Sequence, residues 1–368
     1  MIKINSVAAT QPQDKFLMDG HKLLWHLDRV NEWVRGERIA PLHIDLGITT
    51  GCNINCNFCY GVLQGRTGTA SRFDMPKEPL LRFLRDAKDA GVRSVLFDGQ
   101  GENTLNHALY DAVKCAGEIG LSAALATNGT LLCVDTLPEL LAPLTWIRFN
   151  ISAASHESYQ LIHGASLFDK VVENIRLAVE VRNAGNLATI LGMQMVLTHD
   201  NLDDIVPLSR LGADLGVDYL VIKPCSDDPQ KSLNAPTTEY IGMEDVFKAA
   251  EACSRDGYNV VVKTNKLVNS GVKDFPACYG TRFIINISGD GSVFPCGHFF
   301  NTRRDEFCMG NILQNSFREI LDSERYWEVQ EKISGIDVNL ECETNCRHYY
   351  ICGFLSKLRN PPPHLDFI

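Results

Sequence analysis

The chain of 368 residues contains no apolar run near the roughly 20 residues needed to cross a bilayer. Its opening, MIKINSVAATQPQDKF, lacks the apolar centre of a secretory signal. The expectation is a cytoplasmic protein with no membrane partner. A basic surplus is missing too: 35 Lys and Arg stand against 45 Asp and Glu, for a formal net charge of −10. That balance is wrong for gripping phosphate backbones, so nucleic acid is not expected as a partner. There is no low-complexity tract, and Pro361-Pro362-Pro363 is too short to act as a linker. What remains, 45% hydrophobic and 22% charged residues, suits one large globular core with a small appendage.

Cysteine is in excess. Thirteen are present, in a compartment that rarely builds structural disulfides and where short Cys spacings more often mean metal or redox chemistry. Nine are clustered: Cys52, Cys56 and Cys59, then Cys278, Cys296, Cys308, Cys342, Cys346 and Cys352. Only Cys115, Cys133, Cys225 and Cys253 stand apart.

After a polar start and a helical stretch near His21 to Arg35, β-branched runs alternate with amphipathic helical patterns, as a parallel sheet demands. Six strands are expected, at residues 43–48, 94–98, 122–126, 146–151, 190–197 and 219–223. Six strand-helix units with right-handed crossovers favour an α/β fold built as a partial (β/α)6 TIM-like barrel. The loop from Pro224 to Thr238 leads to a helix near Met243 to Ser254. Beyond Asp256 the pattern changes to a β-hairpin, 283–287 and 292–294 around Gly289-Asp290-Gly291, then a helix from about Ser316 to Ile333 and a Cys-rich end. The expected divisions are an N-terminal extension (1–40), the partial barrel (41–256) and a small hairpin-plus-helix domain (257–368), whose modest apolar content makes metal ligation a sensible staple.

Cys52-x3-Cys56-x2-Cys59 follows the first strand, at the C-terminal end where α/β folds gather their ligand sites. Three thiolates can hold three irons of a cubane and leave the fourth open, whereas a closed zinc site wants a fourth ligand that this loop does not supply. The loop resembles the CxxxCxxC signature of the radical S-adenosylmethionine superfamily, with Phe58 as the aromatic residue before the last cysteine and Tyr60 after it. The resemblance implies a catalytic 4Fe-4S cluster on Cys52, Cys56 and Cys59, with S-adenosylmethionine chelated to the open iron. One electron then cleaves it to a 5'-deoxyadenosyl radical that abstracts a substrate hydrogen.

Further matches fall at strand ends. Asp98-Gly99-Gln100-Gly101-Glu102 is similar to the family's glycine-glycine-glutamate motif with Gln100 between the glycines, which implies that Gly99, Gly101 and Glu102 meet the methionine end of the cofactor. Glycine lets backbone approach a ligand, and a carboxylate can accept from an ammonium. Asn128, in Ala126-Thr127-Asn128-Gly129, and Asn150 and Ser152 occupy positions of polar cofactor contacts. Gln194 points from the fifth strand on the alternation of side chains, as a cofactor contact or a core amide.

At the other end, Cys278-x12-Gly291-x4-Cys296 and Cys342-x3-Cys346-x5-Cys352 resemble the SPASM and Twitch extensions of the same superfamily. That implies an auxiliary 4Fe-4S cluster on Cys278, Cys296 and two of Cys342, Cys346 and Cys352. With no cysteine after Cys352, one cluster is expected rather than two; a zinc ribbon is the alternative. Cys225, beside Lys223 and expected to face the reaction cavity, and Cys308 are candidate hydrogen-atom donors, although free cysteine is usually just buried. His298 is a candidate substrate contact, and Asp227 and Asp228 read as a solvated pair. About forty residues precede the first strand, less than a peptide-recognition domain, which tilts the expectation to a small-molecule substrate. The resemblance therefore implies oxidation or epimerisation of a carbinol carbon in a sugar, cyclitol or related compound, with flavodoxin or ferredoxin as electron donor. Peptide maturation is the alternative, and an iron-sulfur electron carrier the non-enzymatic one.

Overall fold

The computed structural model describes residues 15–237, 239–269 and 271–367. Residues 1–14 of the expected N-terminal extension lie outside it. α1 (Leu27–Val34) precedes β1 (His43–Leu46). Two short strands, β2 (Gly51–Cys52) and β3 (Thr67–Gly68), then pair in parallel and bracket the first cysteine loop. The repeating part follows: α2 (Lys77–Asp89), β4 (Ser94–Phe97), α3 (Ala108–Glu118), β5 (Ser122–Thr127), α4 (Leu137–Leu141), β6 (Leu144–Asn150), α5 (His156–His163), α6 (Phe168–Ala184), β7 (Ile190–Leu197), α7 (Ile205–Leu215), β8 (Tyr219–Pro224), α8 (Glu244–Glu251) and β9 (Asn259–Val262). β1 and β4 to β9 form seven successive parallel strands of the main sheet.

Each element follows from its pattern. β7 is buried at seven of its eight positions, as a strand covered on both faces must be. α2 buries Leu80, Phe83, Leu84 and Ala87, one helical stripe facing the sheet. α5 starts at a Ser155 capping box with Ser158 and stops at Gly164, whose φ of +63° suits glycine.

The boundary expected at residue 256 does not divide the sheet. β9, a short Asn-Val-Val-Val run, adds to the edge after β8 and pairs the backbone N–H and C=O groups that this edge would otherwise leave open. On the opposite edge β10 (Ile284–Ile287) pairs in parallel with β1, and β11 (Ser292–Phe294) and β12 (Gly310–Asn311) extend it antiparallel. The hairpin is thus continuous with the barrel in one ten-stranded sheet. The helix expected over 316–333 is two helices, Phe317–Asp322 and Glu324–Ser334, because Ser323 adopts extended backbone and caps the second through Tyr326 N–H. No described helix is long and apolar enough to cross a membrane.

Candidate active site

The first cysteine loop is held by backbone. Thr67 N–H donates to Thr50 O (2.8 Å), and Arg66 Nη1 donates to Ile54 O (2.9 Å). The end of α5 takes the other side: His163 O accepts from Asn55 N–H (3.2 Å) and Ile162 O from Asn57 N–H (2.9 Å). A Cβ on Gly164 would lie 2.7 Å from Asn55 O, so only glycine lets the helix end come this close. On the sheet side, a Cβ on Gly61 would lie 2.5 Å from Gln100 O and one on Gly101 2.4 Å from Gly51 O. The loop after β4 therefore packs backbone to backbone on the cysteine loop.

Within the loop, burial raises the thiol pKa of Cys56 and Cys52, and neighbouring thiols add to it, Cys59 and Cys52 at Cys56 and Glu102 with Cys59 at Cys52. Thiols such as Cys52 and Cys56, which resist ionising side by side, are donors that bound cations would relieve. Cys56 Sγ lies 3.1 Å from His163 Nδ1.

A cavity of about 250 Å³ opens beside the loop, lined by Phe58, Cys59, Tyr60, Gly61 and Gln64 on one side. Asp98, Gly99, Asn150, Gln194, Val196 and Lys223 line the strand ends, and Asn286, Phe300 and Glu343 complete it from the C-terminal part. Of the expected cofactor contacts, Phe58, Tyr60, Gly99, Asn150 and Gln194 line this space; Gln194 Nε2 donates to Asn150 Oδ1 (2.9 Å).

Four others sit behind it. Glu102 accepts from Thr104 N–H (3.2 Å), Thr104 O–H (2.7 Å), Thr127 O–H (2.8 Å) and Asn128 N–H (2.7 Å), so its carboxylate pins the end of β5 to the glycine loop. Asn128 donates to Asn53 Oδ1 (2.9 Å) and accepts from Thr130. Ser152 Oγ accepts from Val196 N–H (3.0 Å), and Gly101 supplies the close approach already described. These four shape the site without lining it.

The two candidate donors lie outside the lining of this cavity. Cys308 donates to Gly310 O (3.5 Å) and lines neither cavity. Cys225 contacts Phe58 O (3.8 Å) but lines a separate space of about 10 Å³ with Tyr240 and Thr344; burial there pushes its thiol up to about 12. Asp227 is buried, not solvated: it accepts from the N–H groups of Asp228, Leu233 and Ala235 and orders the loop after β8. His298 Nδ1 accepts from Tyr60 O–H (2.6 Å).

Two features were missed. Asp45, on β1, is held well below the carboxylate range: burial alone would raise it, but Arg347 (3.1 Å) and His43 (3.0 Å) outweigh that. Lys223 is lowered to about 8, first by burial, then by Arg148 and Lys266. Neither carries a spacing signal, since each partner is supplied by the fold.

The C-terminal thiols also gather. Cys278 and Cys352 are 3.9 Å apart, and Gly280 N–H donates to Cys352 (3.3 Å). Burial and then neighbouring Cys278 raise Cys342 and Cys346, and Cys296 feels Cys346 and Cys278 after burial and Glu343. Among the described residues no three His, Cys, Asp or Glu side chains are grouped closely enough to hold a single ion.

Comparison with known proteins now decides the family. Residues 46–211 match the model of the radical SAM superfamily, and residues 278–348 match SPASM, an iron-sulfur cluster-binding domain. The chain belongs to the radical SAM superfamily. One relative, the tungsten-containing aldehyde ferredoxin oxidoreductase cofactor-modifying protein of Pyrococcus furiosus, is 25% identical over 77% of this chain and 82% of its own. A probable GTP 3',8-cyclase of Saccharolobus islandicus is 29% identical over 53% of this chain and 58% of its own. Among solved structures, Streptococcus suis SuiB bound to S-adenosylmethionine has a TM-score of 0.59 at 18% identity, covering 84% of this chain and 72% of that one. The enzyme anSMEcpe with bound AdoMet has a TM-score of 0.56 at 17% identity, covering 85% and 88%. These structures share the fold, a TIM-like partial barrel. As a radical SAM enzyme with a SPASM domain, the chain uses S-adenosylmethionine, a catalytic 4Fe-4S cluster and auxiliary iron-sulfur. The three thiols of the loop fit a cluster with one open iron.

Proposed function

We propose that this radical SAM enzyme modifies a peptide, admitting one residue of it to the cavity beside Cys59. The observation that carries this is volume. At about 250 Å³ the cavity is smaller than the roughly 300–1,000 Å³ of sites that enclose a whole drug-sized ligand. With S-adenosylmethionine sharing that space, only part of a substrate enters and the rest lies outside. SuiB with its precursor peptide SuiA bound, and anSMEcpe with a peptide bound, support the reading.

Cys52, Cys56 and Cys59 would hold the catalytic cluster, which supplies the electron that cleaves S-adenosylmethionine. The chain's own residues do the rest. Glycines 61 and 101 let the loops close on each other, Asn150 and Gln194 offer polar contacts at the strand ends, and Phe58 and Phe300 exclude water from one side. Cys278 and Cys296, with two of Cys342, Cys346 and Cys352, would hold an auxiliary cluster. An external one-electron donor such as flavodoxin or ferredoxin completes the system.

A second reading, oxidation or epimerisation of a carbinol carbon in a sugar or cyclitol, is favoured by the polar lining of Asp98, Asn150, Gln194 and Lys223. One experiment separates them. Extract fractions are added to the reduced, reconstituted enzyme and 5'-deoxyadenosine formation is followed; stimulation abolished by protease treatment of the fraction is expected. Protease-resistant stimulation would replace the peptide reading with the second.

A further inference from the structure

We propose that His163 tunes the catalytic cluster: its Nδ1–H donates a hydrogen bond to the Cys56 sulfur and raises the potential at which that cluster accepts its electron. This rests on the reading of Cys56 as a cluster ligand. His163 ends α5 and has no exposed surface. Its Nδ1 is 3.1 Å from Cys56 Sγ, and its Nε2 is 2.9 Å from the backbone nitrogen of Ser152.

The second contact fixes the direction of the first. Ser152 N–H can only donate, so Nε2 is the acceptor and carries no proton. A neutral imidazole has one proton, which must then sit on Nδ1. A doubly protonated ring would set two N–H groups against each other at Ser152. A ligating cysteine sulfur has no proton and can only accept.

The ring cannot turn away. It stacks on Tyr159, with centroids 4.3 Å apart at 27°, and meets Phe58 edge-on at 5.6 Å. The backbone bonds from Asn55 and Asn57 to the end of α5 tie the helix and the cysteine loop together, which holds the N···S distance. Cys52 Sγ has a backbone hydrogen bond from Ile54 and a long contact, 3.9 Å, to the Asn128 amide, with no ring donor among the described residues aimed at it.

Reduction adds one electron from the external donor to the cluster and moves no proton. The added charge spreads onto the thiolate sulfurs, so a donor aimed at one of them stabilises the reduced state and raises the potential. His163 would act here as a positioning residue's counterpart in electronics, touching the ligand and not the substrate.

The test is an EPR-monitored redox titration of reconstituted full-length wild type, His163→Phe and His163→Asn, with the catalytic signal identified by its change on adding S-adenosylmethionine. Phe fills the ring space without a donor, while the Asn amide nitrogen stands where Nδ1 stood. Both leave Ser152 N–H without its acceptor, so the difference between them isolates the bond to sulfur. The expected result is a midpoint shifted to more negative potential in His163→Phe and restored toward wild type in His163→Asn, with iron content unchanged. Equal midpoints in wild type and His163→Phe would overturn the proposal. Should the Phe variant fail to assemble the cluster, wild type carrying ¹⁵N in its histidine rings decides. A ¹⁵N coupling to the reduced cluster, absent in His163→Asn, supports the bond, and no such coupling in wild type contradicts it. Failure of the underlying reading looks different: Cys56→Ala would then keep its full iron content.

Discussion

The cysteine loop at 51–68 and the C-terminal cysteines at 278–352 are held by different means. The loop is gripped by backbone: β2 with β3, the carbonyls ending α5, and two glycines that bring Gln100 and Gly51 into contact with their neighbours. The C-terminal thiols depend on side chains reaching across the molecule. Arg347 pairs with Asp45 on β1, Thr344 Oγ1 accepts from Asp227 N–H (2.9 Å), and Asn345 Nδ2 donates to Pro224 O (2.8 Å). Gln100, the residue that departs from the double-glycine motif, donates to Ser288 Oγ (3.0 Å) and accepts from Gly289 N–H (3.1 Å). The two regions also meet directly, with Tyr60 Oη 2.6 Å from His298 Nδ1 and Gln64 Nε2 donating to Gly297 O (3.0 Å). A site whose chemistry needs a bare iron is built from local backbone, whereas its auxiliary partner is assembled only once the whole sheet exists.

The largest effect that would break this comparison is on iron. Anaerobically reconstituted protein should carry about eight irons, and replacing Cys52, Cys56 and Cys59 together by Ala should remove about four, the content of one cubane. Iron analysis after desalting reads this directly; loss of all eight would mean that the two sites do not assemble independently.

Next comes a glycine. Gly101→Ala puts a Cβ about where Gly51 O and Thr49 O already lie, at 2.4 and 2.6 Å. Neither backbone can move freely, so a loss of about 3 kcal/mol in unfolding free energy is expected, with catalytic-cluster iron lost before auxiliary iron. Arg347→Ala should do the reverse. Its guanidinium is half exposed while Asp45 is nearly buried, so losing the charged hydrogen bonds should cost roughly 2 kcal/mol and loosen the auxiliary site first. Chemical denaturation with iron release followed in parallel distinguishes the two orders of loss.

A smaller effect sharpens the cavity. Lys223 gives up its proton near pH 8 when folded but at the ordinary lysine value of 10.5 when unfolded. Between those values the unfolded chain binds more protons, so stability should rise with pH from about 8 to 10.5, and the cost of the buried charge is fully present below 8. Lys223→Met should flatten that rise and stabilise the protein at pH 7, as read from unfolding curves across the range. Smallest of all, Cys308→Ala should leave S-adenosylmethionine cleavage within about twofold of wild type, since surface-type changes away from the site cost little.

The sequence made the barrel legible because its signals are local. Alternating β-branched runs and helical stripes placed β1 and β4 to β8 within about two residues, and the cysteine spacing marked the loop. The seventh parallel strand was too short to stand out, and the parallel pairing of β10 with β1 joins residues some 240 apart with no pattern to announce it. The same holds in the site. Phe58, Tyr60, Gly99, Asn150 and Gln194, read from strand ends, line the cavity, while the bonds of Glu102, Asn128 and Ser152 to their neighbours are made by the fold and leave no pattern in the sequence. His163 went unread because a lone histidine at a helix end looks like any buried ring until Ser152 and Cys56 appear on either side of it.

The central claim is that the loop of Cys52, Cys56 and Cys59 supports reductive cleavage of S-adenosylmethionine. The direct measurement is mass spectrometry of the products formed when anaerobically reconstituted, dithionite-reduced protein is incubated with S-adenosylmethionine. The account predicts 5'-deoxyadenosine and methionine from the wild type and neither from the triple Cys→Ala protein. A wild-type preparation with its full iron content that forms no 5'-deoxyadenosine, with or without a stimulating fraction, would contradict it.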